Sequence, residues 1–413
     1  MLSACRFCGS PLTHTVVDLG LSPISNAFRP FDTVDREPQT FYPLKVMVCD
    51  TCWLAQIVDV ETPAHFNPNY VYFSSYSQSW LEHAEAYAGE MTRDLVLGAH
   101  SKVVEVASND GYLLQYFKAR GIPVLGIEPS GNVAEHARTV HGIETIDAFF
   151  GKDCAVALVE KGVQADLIAA NNVLAHVPDI NDFVSGFTLL LKPGGILTIE
   201  FPHLLNMLRE CQFDTIYHEH YSYLSLGAVE RILTAHGLVV HGARRLPTHG
   251  GSLRLYAGHA GQGRTDPALA KTLEEIRQDE LDDGLETLAP YTAFSAAVER
   301  RKIDFVSFLI AAKTEGKTVV GYGAPAKGNT MLNYCGVGPE LLAYTVDRSP
   351  HKQRHFLPGL NIPVHAPERI FEDRPDYIVI LPWNLKEEIS QQLQDARAWG
   401  ARFVVVNPEL SIF

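Results

Sequence analysis

The sequence predicts an α/β protein of three parts: a small cysteine-bearing module, a doubly wound and mostly parallel sheet, and a second, smaller α/β unit. Three observations carry this. Four of the seven cysteines form two C-x-x-C pairs, Cys5/Cys8 and Cys49/Cys52. From Lys102 onward, short apolar runs alternate with helical patterns, the signature of a parallel sheet with crossover helices. The same alternation resumes at Lys317. At 413 residues the chain has room for two or three such units, each with a buried core.

Composition narrows the class of partner. The chain is 46% hydrophobic and 20% charged, with a formal net charge of −14. Such a balance offers no broad basic surface for phosphate neutralisation, so nucleic acid is not an expected partner. No apolar run approaches the length of about 18 residues that a membrane span needs. The N-terminal MLSACRFCGS lacks the basic and apolar regions of a secretory signal, so a cytoplasmic protein without membrane partners is expected.

In a reducing compartment, paired C-x-x-C units read as tetrahedral zinc thiolates rather than disulfides. Cys5, Cys8, Cys49 and Cys52 are therefore the expected ligands of a structural Zn²⁺. About 40 residues separate the pairs, more than in a compact ribbon, so an insert must fold between them. Cys154, Cys211 and Cys335 stand alone and read as core or surface thiols. The zinc module is expected over 1–70, with strands at 41–48 and 54–58. The segment NPNYVYFSSYSQ (67–78) lacks helical periodicity and reads as an ordered loop, followed by a helix over 80–92.

The central unit, expected over 71–260, has strands at 103–106, 124–127, 166–170 and 195–201. An antiparallel pair at 238–244 and 251–257 should close one edge of its sheet. The stretch VVEVASNDGYLLQYFKARGIPVLGIEPS (103–130) is a strand, a tight turn, a helix and a second strand ending on Glu128. A nucleoside site needs this order: a small loop, a helix N-terminus and an acid after the second strand. The NAD fingerprint G-x-G-x-x-G is absent. Glu105, Ala107, Asn109, Asp110 and Gly111 instead resemble the first motif of S-adenosylmethionine methyltransferases, with Ala107 where glycine is usual. Glu128, Pro129 and Ser130 follow as candidates for the ribose. Asn171 and Asn172 open the loop after the next strand, and LKPGG (191–195) matches the turn before the fifth. Asp147 and Phe149 lie where an acid and an apolar side chain would hold adenine, although Phe149 and Phe150 also suit a core.

Tyr217-His218-Glu219-His220-Tyr221 is the densest cluster of ionisable groups. Neutral imidazole beside a carboxylate suits proton abstraction. The H-E-x-x-H spacing of zinc hydrolases is absent. His249, in PTHGGS, is either a site residue or a turn residue. The stretch 264–315 is charged with helical period, a connector over 261–315 whose Glu274, Glu275, Arg277, Glu280, Glu299, Arg300 and Arg301 read as a solvated face. In the C-terminal unit, 316–413, strands are expected at 318–322, 342–346, 377–381 and 403–406. GYGAPAKGN (321–329) follows the first of them and resembles a phosphate loop, but not the G-x-x-x-x-G-K-[ST] of ATP hydrolysis. Asp347 stands where a Rossmann half keeps its ribose-binding acid.

Together these segments resemble the nucleotide-sugar C-methyltransferases of deoxysugar biosynthesis over essentially the whole chain. The carriers are the two cysteine pairs, EVASNDG, NNVLAHVPD, FDTIYHEHYSYL, PTHGGSLR and GYGAPAKGNTMLNY. The resemblance implies a class I S-adenosylmethionine methyltransferase domain between a four-cysteine zinc domain and a C-terminal Rossmann-like domain. It implies deprotonation at C3, next to a 4-keto group, then attack of the enolate carbon on the sulfonium methyl. His220 would be the base, with Glu219, Tyr217 and His176 around it and Tyr72 and Tyr76 closing the pocket. Tyr322, Ala324, Lys327, Asn329, Asp347, Lys352 and His249 would hold the dTDP- or other NDP-4-keto-deoxyhexose, in a monomer or weak oligomer. An O- or N-methyltransferase is the neighbouring alternative, and a non-catalytic zinc-ribbon protein the alternative of another class. An NAD oxidoreductase is weakened by the missing fingerprint.

Overall fold

The structure, a computed structural model, describes residues 4–32, 38–58, 60, 73–262 and 266–413. Three sheets organise them. The seven-stranded central sheet runs Leu238–Leu246, Ser252–His259, Leu191–Pro202, Ala165–Asn171, Val103–Val106, Val124–Ile127, Thr145–Ile146. Its last five strands are parallel, and Ser252–His259 pairs antiparallel to both neighbours, as the alternation and the edge hairpin require. Val103–Val106 is buried at every position, which is why it reads as an unbroken apolar run rather than an alternating one.

The other two sheets exchange strands across the expected boundaries. The N-terminal sheet is antiparallel: His14–Ser22, Tyr42–Val48, Ala55–Ile57 and then Ser222–Tyr223, which comes from the far side of the chain. In the C-terminal sheet, Val319–Tyr322 lies between Tyr377–Ile380 and Thr345–Val346 in parallel. Arg29–Pro30 of the N-terminal region adds an edge strand next to His355–Phe356. Strand His14–Ser22 was not expected from the sequence; register shifts at Thr15/Val17 and Asp18/Leu21 break its period-two pattern. Two-residue strands such as His355–Phe356 carry no period to detect.

The helical connector departs from the expected solvated pair. Helix Ala289–Thr314 buries Tyr291, Phe294, Val298, Phe305 and Leu309 and packs on strand His14–Ser22. Helix Pro267–Asp282 packs on Leu238–Leu246. Glu280 is buried rather than solvated: its Oε1 accepts from His203 Nε2 (2.6 Å) and from the Leu226 N–H (2.6 Å), and its Oε2 from the Gly227 N–H (3.0 Å). It satisfies the orphan amides that open helix Leu226–Ala235. Among the described residues no helix is long and apolar enough to cross a membrane.

Candidate active site

One cavity of about 750 Å³ lies where the three parts meet. Its first end is built on the turn after Val103–Val106. Ala107 (φ 57°) and Asn109 (φ 48°) adopt left-handed backbone there, turning the chain back under the cavity. Glu128, four-hundredths exposed, clamps the turn: its Oε2 accepts from the Asn109 N–H (3.0 Å) and its Oε1 from the Ser130 N–H (2.8 Å). Burial raises its pKa against those two bonds. The Ser74 N–H bonds Asn109 Oδ1 at 2.8 Å and the Ser75 N–H bonds Asp110 Oδ2 at 3.0 Å, so segment 73–77 lies over this loop. Pro129, Phe149, Asn171 and Asn172 complete this end. The side-chain amide oxygen of Asn171 and both polar side-chain atoms of Asn172 are buried with no partner among the described residues.

The second end carries the ionisable groups. Tyr217, Glu219 and His220 line it together with His176, His249 and Trp80. His220 Nδ1 lies 2.7 Å from the Thr215 carbonyl, which can only accept, so Nδ1 carries the proton. Nε2 then presents a lone pair and accepts from the Tyr217 hydroxyl at 2.6 Å. Burial, with His176 and Lys327 nearby, holds the His220 pKa well below the imidazole range, so the ring is neutral. The two rings of His176 and His220 meet at 4.7 Å. Burial pushes Glu219 up to about 7, against a bond from Asn26 Nδ2 to its Oε1 (2.6 Å). His249, at φ 55°, is lowered to about 4 by burial and then by Lys327, and it meets Trp80 edge-on. Trp80 also stacks on His83 at 4.9 Å, and His83 bonds the buried Glu200.

The C-terminal unit supplies Lys327 and Lys352 to the rim, beside Pro325 and Ala326. Burial lowers the Lys327 pKa, partly offset by Asp214. Its ammonium reaches the His249 carbonyl (3.3 Å) and sits 5.2 Å from the Trp383 ring centre. Lys352 bonds the Ala324 carbonyl at 3.0 Å.

Several expected site residues do other work. Glu105 is fully buried beneath the loop, its pKa raised well above the carboxylate range by desolvation. Asp110 anchors Ser75, and Ser130 is fully buried. A Cβ on Gly111 would lie 3.1 Å from Ile143 and 3.3 Å from Ala137, so this glycine permits helix packing rather than ligand approach. Asp147 pairs with Arg138 at the surface (2.6 Å). Phe150 packs on Phe183 and Phe187, whereas Phe149 is exposed at the cavity. Tyr76 is exposed and stacks on Phe73. Tyr322 is buried and its hydroxyl donates to Gln392; Ala324 and Asn329 are also buried, away from the lining. Asp347 caps its own loop, accepting from the Ala324 and Ser349 N–H groups (2.8 Å each). Tyr72 lies outside the described residues. His218 turns away from the cavity to the Pro43 carbonyl (3.2 Å). Asn26, Trp80 and Trp383 were not singled out in the sequence; single residues inside otherwise ordinary segments carry no local signal.

The four thiols of Cys5, Cys8, Cys49 and Cys52 lie within 4.8 Å of one another. Tetrahedral zinc with sulfur at about 2.3 Å needs edges of about 3.8 Å, which this cluster can close with no open position. The turns are held by the Gly9 N–H on the Cys5 carbonyl and the Trp53 N–H on the Cys49 carbonyl (2.9 Å each).

Comparison with known proteins agrees with this architecture. The C-methyltransferase NovU of Streptomyces niveus is 34% identical over 409 residues, 99% of this chain and 96% of that protein. The chain belongs to the C-methyltransferase family. Within this C-methyltransferase, residues 5–66 match a zinc binding domain, 80–242 a methyltransferase domain and 247–408 a C-methyltransferase C-terminal domain. A ubiquinone biosynthesis O-methyltransferase of Chelativorans is 28% identical over 99 residues, 24% of this chain and 39% of its own. A methyltransferase structure from Clostridium acetobutylicum is 11% identical, with a TM-score of 0.36 over 44% of this chain and 92% of its own. The methyl donor is S-adenosylmethionine, and the unpartnered Asn171 and Asn172 amides beside the Ala107 turn fit a polar nucleoside. The zinc is structural.

Proposed function

We propose that this C-methyltransferase acts on a nucleotide-linked 4-keto deoxysugar, in the dTDP or another NDP form, at the carbon next to the keto group. What supports the reading most is a neutral His220 with its Nε2 lone pair in the same cavity as the Ala107–Glu128 turn. When bound, S-adenosylmethionine supplies an electrophilic methyl group on a sulfonium.

In this reading Glu128 orders the turn under the nucleoside and Asn171 and Asn172 bond its polar edges. His220 Nε2 takes the proton from the carbon beside the keto group, and Tyr217, already on Nε2, gives way to it or relays it. His176 stabilises negative charge growing on the keto oxygen. The C–H electron pair passes into the enolate, and its carbon is then the methyl acceptor. Glu219 and His249 hold the sugar, and Lys327 and Lys352 face the diphosphate. We assign the methyl-donor site to 71–260, the nucleotide-sugar site to 316–413 and the helical link to 261–315, and place the protein in the cytoplasm as a monomer or weak oligomer.

Proton abstraction can be isolated from methyl transfer. With S-adenosylhomocysteine in D₂O, the enzyme should exchange one sugar C–H for deuterium in a dTDP-4-keto sugar. His220→Ala should abolish that exchange. Exchange that persists in the variant refutes His220 as the base, and methylation of a hydroxyl or amine without any exchange favours the O- or N-methyltransferase alternative.

A further inference from the structure

The loop that carries Glu219 and His220 is anchored at its start by the C-terminal unit, through Thr330 on the Ile216 carbonyl, and on both flanks of Glu219 by the N-terminal module. On one side, His218 Nε2 donates to the Pro43 carbonyl at 3.2 Å, with the ring edge-on to Tyr42. On the other, the Ile57 N–H donates to the Tyr221 carbonyl at 3.1 Å, and Ser222–Tyr223 pairs with Ala55–Gln56 as the last strand of the N-terminal sheet. Between these anchors Asn26 reaches the cavity wall and donates to Glu219 Oε1 at 2.6 Å. Glu219 has no other hydrogen-bond partner among the described residues, so this single bond sets how its buried carboxyl group is turned.

We propose that the N-terminal module is part of the active site rather than a scaffold beside it, and that Asn26 is a positioning residue that aims the Glu219 carboxyl group at the sugar. With Oε1 held by the amide, Oε2 is the oxygen left to meet a polar group of the acceptor. A carboxyl group without that amide can rotate about its terminal torsion, whose rotamer well is broad. The inference rests on the placement of Glu219 and His220 in the methyl-transfer site.

The test is a double-mutant cycle on the zinc-loaded full chain with S-adenosylmethionine and a dTDP-4-keto sugar. Asn26→Ala and the near-isosteric Asn26→Asp should each lower kcat roughly tenfold or more, the effect of one hydrogen bond to a charged group. The KM for S-adenosylmethionine and the zinc content should stay at the parent values. In a Glu219→Gln background neither substitution should lower kcat further, because the two residues act as one unit. Parent-level kcat, or a loss that multiplies with that of Glu219→Gln, overturns the proposal. So does zinc loss in both Asn26 variants. Full activity of both Glu219→Gln and His220→Ala is a separate result and sinks the site assignment on which the inference rests.

Discussion

His220 shows how one backbone carbonyl decides a side chain's chemistry. The Thr215 carbonyl takes the Nδ1 proton and so directs the basic nitrogen into the cavity. Burial lowers its pKa, so the ring stays neutral as pH falls and charges only below the usual imidazole value of 6.5. Nitrogen-15 NMR of the zinc-loaded enzyme should therefore find His220 neutral at pH 6.5, with Nδ1 as the N–H; an imidazolium at that pH contradicts the burial argument, and a neutral ring with its proton on Nε2 contradicts the tautomer argument. Ala107 tests the turn in another way. Its φ of 57° costs a residue with a Cβ about 1–2 kcal/mol, partly offset in glycine by the greater entropy of the unfolded chain. Ala107→Gly should thus raise stability by up to about 1 kcal/mol in urea unfolding while S-adenosylmethionine still binds. Loss of stability would mean that the Ala107 methyl packs better than its backbone is strained. The family motif with a substituted glycine was legible in the sequence, and its backbone angle is the physical reason glycine is usual there.

At the scale of elements, strands and cysteine turns were legible because period and spacing are local properties. The two C-x-x-C turns converge as their spacing requires. Cys49→Ser should release zinc and unfold the N-terminal sheet, with metal content and circular dichroism as the readouts; a zinc-free variant of parent stability would contradict a structural metal. The helix Pro267–Asp282 was misread because Glu275 and Glu280 look alike in sequence. Only the tertiary structure brings His203 and the Leu226 and Gly227 amides to Glu280. Glu275 merely pairs with Lys271 in solvent. Glu280→Ala should cost about 3 kcal/mol, since it strands a buried imidazole and two helix amides. Glu275→Ala should cost less than about 0.5 kcal/mol. Equal effects in denaturant unfolding would remove the distinction between them.

At the scale of the whole molecule, the site is a product of assembly. The Ala107–Glu128 turn comes from the central sheet, Asn26 from the N-terminal region and Lys327 from the C-terminal unit, all on one cavity. Motifs marked the first and last of these. Of the other residues that the C-terminal motifs singled out, Tyr322, Asn329 and Asp347 lie off the cavity lining, because a loop pattern does not say which of its side chains turn inward. Lys327→Ala should raise the KM for a dTDP-4-keto sugar at least about tenfold, as the loss of a charged contact implies, without changing S-adenosylmethionine affinity by calorimetry. An unchanged KM would take the diphosphate away from this rim. The central claim is carbon methylation of a 4-keto sugar nucleotide, and one product analysis tests it. The enzyme is incubated with methyl-¹³C S-adenosylmethionine and a panel of 4-keto nucleotide sugars, and the products are read by mass spectrometry and NMR. The account predicts a product heavier by one CH₂ plus the label, with the ¹³C methyl bonded to the ring carbon next to the keto group. A labelled methyl on oxygen or nitrogen, or no acceptance of any ketosugar nucleotide in the panel, would contradict it.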